Sequence, residues 1–180
     1  MKGLVVFLLA VLGCSLAEGI EVQKCALKDK LAQAIGHLLG SNGEADSLLA
    51  KIICHVELGS NFDTNTVTKL YPGQEYGCRK NVGTSNTDED VWILYGLFQL
   101  SDHLVCSNGT AEDQGICNMD CNKLLDDDIQ DDIACVLNIV NALDNVGSGE
   151  AANLRKMIRL IFQRECRYIS PDEYFAECSG

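Results

Sequence analysis

Ten cysteines in a chain of 180 residues, nine of them between Cys25 and Cys178, restrict what this sequence can fold into more than any other feature. The tenth, Cys14, falls inside an N-terminal stretch that reads as an export signal. There Lys2 precedes the apolar run Gly3 to Leu12, too short to cross a bilayer, and Ala17-Glu18-Gly19 offers small residues for cleavage. Residues 1–19 are therefore expected to be a signal peptide, and residues 20–180 a soluble, secreted, extracellular domain whose cysteines are oxidised. No later stretch is long and apolar enough to form a transmembrane helix. Nine is odd, so one thiol must be free, capped or joined to another molecule. Cys78, alone in a polar stretch, is the candidate, either as an unpaired thiol or as the link in a disulfide-bonded dimer. Asn108-Gly109-Thr110 is a glycosylation sequon in a predicted loop, which makes Asn108 the expected glycan acceptor.

The second constraint is charge. Between Cys121 and Cys135 the chain places five aspartates in the seven positions 126–132. Carboxylates this crowded repel one another, so a fold that gathers them needs a bound cation or a helix N-terminus. Calcium, a hard ion that takes six to eight oxygens, is the expected cofactor. An EF-hand is excluded, because the run lacks the glycine at its sixth position and has Leu137 where the twelfth-position glutamate belongs. The net charge of −12 argues against nucleic acid and anionic membranes as partners.

Periodicity sets the fold class. Ala26, Leu27, Leu31, Ala34, Ile35, Leu38 and Leu39 recur at helical spacing, and Gly40 to Gly43 interrupt them. Leu48, Leu49, Ile52, Ile53 and Val56 form a second stripe through Cys54 that stops near Gly59. The stretch from Ser60 to Asp90 is polar and predicts short strands and long loops. Trp92 to Leu100 reads as one buried strand, with Trp92 in the core. A third helix opens at the aspartates and carries Ile129, Ile133, Val136, Leu137, Val140 and Leu143. A fourth carries Leu154, Ile158, Ile161 and Phe162 up to Cys166. Helices first and last with a small sheet between them predict an α+β domain.

Four features together resemble the C-type lysozyme and α-lactalbumin family. They are Ser60-Asn61-Phe62 after a cysteine-bearing helix, Tyr95-Gly96-Leu97-Phe98-Gln99, the cluster Cys106, Cys117, Cys121 and Cys135, and the pair Cys166 and Cys178. The resemblance covers nearly all of residues 20–180 and implies a lysozyme-like helical lobe, a small antiparallel β lobe and four disulfides. The implied bridges are Cys25 to Cys178, Cys54 to Cys166, Cys106 to Cys121 and Cys117 to Cys135, which leaves Cys78 over. Relative to the family the chain is longer between the first two helices, around residues 68–90, and between Cys135 and Cys166. The aspartate segment resembles the family's calcium loop. On that resemblance the ligands are side-chain oxygens of Asp126, Asp131 and Asp132 and the backbone carbonyls of Lys123 and Asp128.

The resemblance also locates what hydrolysis needs. Lysozymes cleave glycosidic bonds with a protonated acid and an ionised carboxylate. The family's acid position is Gly59 here, and its second carboxylate position is Leu94, so no catalytic residue is assigned. Glu57 lies about 200° around the helix from Gly59 and reads as a solvated surface residue. Sugar stacking is weakened as well, because the family's aromatic pair is Leu104 and Val105 and its asparagine is Ser101. His103 reads as an exposed histidine with no role. The expected function is thus a calcium-binding protein that has lost its hydrolase chemistry and binds an unknown protein or glycan partner. Two alternatives follow from the same residues. One is a regulatory subunit of a glycosyltransferase, as α-lactalbumin is. The other is a glycosidase for peptidoglycan or chitin oligomers with relocated carboxylates, Glu57 with Glu89 or Asp90.

Overall fold

Leu27, Leu31 and Ile35 recur every four residues on one face of α1 (Lys24–Leu39), and all three are buried. They meet α2 (Gly43–Ser60), whose Leu49, Ala50, Ile52, Ile53 and Val56 close the other side of the same core. The computed structural model describes residues 19–39, 43–71, 91–107, 115–142 and 151–178. Residues 1–18 of the expected signal peptide, Cys78, Glu89, Asp90, Asn108 and most of the expected insertion lie outside the described residues.

Past α2 the chain turns through Asn61 and Phe62, both in the left-handed region with φ of 51° and 64°. It then forms an antiparallel sheet of β1 (Val67–Leu70), β2 (Trp92–Tyr95) and β3 (Leu100–Ser101), in that order. Thr68 faces Leu94 across the first pair, and Leu94 faces Ser101 across the second. The predicted single strand from Trp92 to Leu100 is therefore corrected to a hairpin. Gly96 (φ 71°) and Gln99 (φ 49°) reverse the chain, and the buried Gln99 amide braces the turn by donating to the carbonyls of Thr66 and Gly96. The apolar run hid this turn because Leu97 and Phe98 are themselves buried within it.

A short parallel pair, β4 (Cys106–Ser107) with β5 (Met119–Asp120), leads into a 3-10 turn at Cys121–Leu125. Helix α3 (Ile129–Asn141) follows, then α4 (Ala151–Ile161), a 3-10 turn at Arg164–Cys166, α5 (Pro171–Tyr174) and a last 3-10 turn at Ala176–Cys178. All four expected disulfides form: Cys25–Cys178, Cys54–Cys166, Cys106–Cys121 and Cys117–Cys135. The first two tie the C-terminal segment to α1 and α2. The other two fasten both flanks of the aspartate run. Among the described residues no helix is long and apolar enough to cross a membrane.

Candidate metal centre

The aspartates divide between two tasks. Asp120 caps the 3-10 turn by accepting from the Asn122 backbone N–H, and Asp128 caps α3 by accepting from that of Gln130. Such caps satisfy N–H groups that a helix start leaves without partners. Asp126 accepts from the Asp128 N–H at 2.9 Å and pairs with the Lys123 ammonium at 3.3 Å. Asp131 accepts from the Asp132 N–H at 3.1 Å. Asp132 is the exception. It is 1% exposed, and neither of its carboxylate oxygens has a hydrogen-bond partner.

A buried carboxylate without a donor is among the costlier arrangements in a protein interior. Burial, with the nearby charges of Asp131, Asp126 and Asp128 adding to it, pushes the Asp132 carboxyl up to about 8. Among the described residues no three histidine, cysteine or acidic side chains converge in ligating geometry, since Asp126, Asp128 and Asp131 are turned towards backbone N–H groups. The donor set is nonetheless all oxygen and strongly negative, which suits a hard divalent cation. Lys123 and Asp128 would contribute main-chain carbonyls, which side-chain rotation leaves in place.

Gly96 positions this loop. A Cβ built there would lie 1.8 Å from the Leu124 carbonyl oxygen, two residues before Asp126, so the hairpin backbone rests directly on the 3-10 turn. The disulfides Cys106–Cys121 and Cys117–Cys135 hold the segment from its other sides.

Gly59 and Leu94, the positions at which the resemblance implies the family's carboxylates, sit on α2 and β2. Gly59 lies in the last turn of α2, and the hydroxyl of the following Ser60 is 2.8 Å from the carbonyl of Leu97 in the hairpin. Leu94 is fully buried in the middle strand. Glu57 is exposed yet engaged, because its carboxylate accepts a hydrogen bond from the Tyr174 hydroxyl of α5. Glu57 is thus solvent-exposed, as expected, with a contact to α5 that the sequence did not show. Burial and the Glu57 carboxylate together raise the Tyr174 phenol well above its ordinary range, so it stays a donor.

His103 is exposed, as expected, and it makes local contacts. Its ring stacks on Trp92 with centroids 5.6 Å apart, and its Nε2 lies 3.1 Å from the Val91 carbonyl. Trp92 is buried as expected, and the Lys156 ammonium of α4 lies 3.9 Å from the centroid of its ring. Asn153 of α4 donates to the His103 carbonyl. A further contact between sheet and helices was missed in the sequence. His55, completely buried in α2, has Nε2 2.9 Å from the Phe98 carbonyl, and its ring also bonds towards the Leu160 backbone in α4. Burial holds its pKa down to about 4, against the opposing pull of those two bonds. The available signal was a histidine inside the apolar stripe from Leu48 to Val56.

Comparison with known proteins identifies relatives of the whole fold. Residues 20–153 match the C-type lysozyme/alpha-lactalbumin family. The milk isozyme of lysozyme C from Canis lupus familiaris is 28% identical over 87% of this chain and 96% of its own length. Sperm acrosome-associated protein 5 of Mus musculus is 30% identical over 77% of this chain and 72% of its own length. A calcium-binding lysozyme from equine milk superposes with a TM-score of 0.55 at 26% identity, covering 89% of this chain and all of the other. The α+β fold, the four bridges and the matched segment together make this chain a member of the C-type lysozyme/α-lactalbumin family.

Proposed function

We propose that this chain is a secreted, calcium-stabilised member of its family that has given up glycoside hydrolysis and acts as a binding or structural protein. The observation that carries the reading is Asp132, a buried carboxylate with neither oxygen hydrogen-bonded and three other aspartates raising its pKa. A divalent ion held by Asp126, Asp131 and Asp132 with the carbonyls of Lys123 and Asp128 supplies the missing positive charge. The equine milk lysozyme described above is a calcium-binding protein, which supports the same assignment.

Glycine at position 59 has no proton to donate, and the alkyl side chain of Leu94 cannot stabilise an oxocarbenium ion. General acid catalysis alone contributes on the order of a hundredfold to ten-thousandfold, so losing both groups leaves no useful turnover. Glu57 is committed to Tyr174 on α5, which argues against its recruitment as a relocated acid.

Thermal unfolding with calcium and with chelator tests the ion. A ligand that binds only the native state adds about 2.7 kcal/mol at a hundredfold excess over its dissociation constant. Equal midpoints in the two conditions remove the metal from the account. Clearing of a bacterial wall suspension tests the chemistry, and turnover abolished by Glu57→Gln would establish the relocated glycosidase instead.

A further inference from the structure

The chain has five arginines, and four of them, Arg155, Arg159, Arg164 and Arg167, fall within thirteen residues of α4 and the 3-10 turn that follows it. Lysine is the commoner cation elsewhere, with nine in the chain, and only Lys156 lies in this strip. With Glu165 as its single acid, the span 155–167 carries a net charge of +4 in a molecule of −12, so the remainder carries −16. All four arginines are exposed, and none of them enters an ion pair or a ring contact among the described residues. Beside them Tyr168 is 87% exposed, the most open large hydrophobic side chain described. The opposite face of α4 is occupied, because Leu154, Met157, Leu160 and Ile161 are buried in the core.

A solvated amphipathic helix needs polar groups on its outer face, and lysine meets that need as well as arginine does. Arginine differs in its planar fork of donors, which grips a carboxylate with two parallel bonds and is less strongly hydrated than an ammonium. Arginine and tyrosine together are the residues enriched in protein interfaces. The charge on the rest of the molecule limits the occupant. A long polyanion or a flat anionic bilayer that reached the strip would also face the acidic remainder, whereas a locally acidic polypeptide segment meets only the strip.

We propose that the arginine strip of α4 and its following turn is a docking surface for an acidic segment of a partner protein, with carboxylates on the guanidinium groups and an apolar contact at Tyr168. This names the partner chemistry of the binding-protein reading and rests on that reading. The two fail separately, because calcium-dependent melting and wall clearing decide the former while peptide titration decides this one.

The test is fluorescence anisotropy of a labelled octaglutamate peptide titrated with the full disulfide-bonded chain in calcium, at low and at high salt. Binding is expected at low salt and should weaken as salt rises. Arg155→Glu with Arg159→Glu should lower affinity by on the order of tenfold or more with an unchanged melting temperature. Replacing all four arginines by lysine keeps charge and helix propensity, and should give an intermediate loss that reports the fork rather than the field. Absence of binding at low salt, or binding indifferent to both variants, overturns the proposal. Tighter binding of a heparin tetrasaccharide or of phosphatidylserine vesicles through the same arginines also overturns it, in favour of a sulfated glycan or a membrane.

Discussion

Two buried ionisable side chains pull against the fold in opposite circumstances. Asp132 stands in a negative field with no donor, so neutralising it should relieve the apoprotein while removing the reason for an ion. Asp132→Asn is expected to keep or raise the melting midpoint in chelator and to abolish the calcium-dependent increase. A calcium increment that survives the substitution would show that the ion sits elsewhere. His55 carries the acid sensitivity. Its folded pKa of about 4 lies below the ordinary histidine value of 6.5, so between these values the unfolded chain binds a proton that the folded chain refuses. Stability from this residue is complete above about 6.5 and is lost as pH falls towards 4, by roughly 3 kcal/mol at one proton and 1.36 kcal/mol per unit. In the apoprotein Asp132 takes up a proton on folding over the same window and tilts the slope the other way. Urea midpoints of the Asp132→Asn protein should therefore slope downwards with acid, and adding His55→Gln should flatten the slope.

At the level of elements, the turn between β2 and β3 and the aspartate loop form one unit because Gly96 lets the backbone settle on the Leu124 carbonyl. Gly96→Ala introduces a clash against backbone at a positive φ, and should cost more than about 2 kcal/mol in a urea titration. Since the displaced atom is two residues from Asp126, calcium affinity measured by isothermal titration should fall in the same variant. The helices were legible because their apolar residues repeat every three to four positions and α3 announces its start with Asp128. The hairpin was not, since a turn with buried Leu97 and Phe98 has the same apolar signature as a strand. Likewise α2 begins at Gly43, earlier than its apolar stripe, because its first turn is built on Glu44 and Asp46 beside the N-terminal end of the helix dipole. The acidic loop was readable as a cluster, whereas the distinction between capping aspartates and the unpartnered Asp132 depends on burial, which spacing alone does not carry.

For the molecule as a whole, the four bridges match the pairing that the family resemblance implies, while Cys78, the thiol left over, lies outside the described residues. What the sequence hid were the long-range polar contacts, since Tyr174 meets Glu57 across 117 residues and Asn153 meets His103 across 50. The Cys25–Cys178 bridge spans 153 residues and fastens the end of the chain to α1. Replacing both cysteines by serine should lower stability by about 2–5 kcal/mol in urea while leaving the calcium increment intact, because the aspartate loop is held by the other two bridges. Asn153 and Lys156 of α4 also reach the β lobe, at the His103 carbonyl and the Trp92 ring, and His55 of α2 reaches it at the Phe98 carbonyl. Any motion that parted the β lobe from the helices would first have to break these ties.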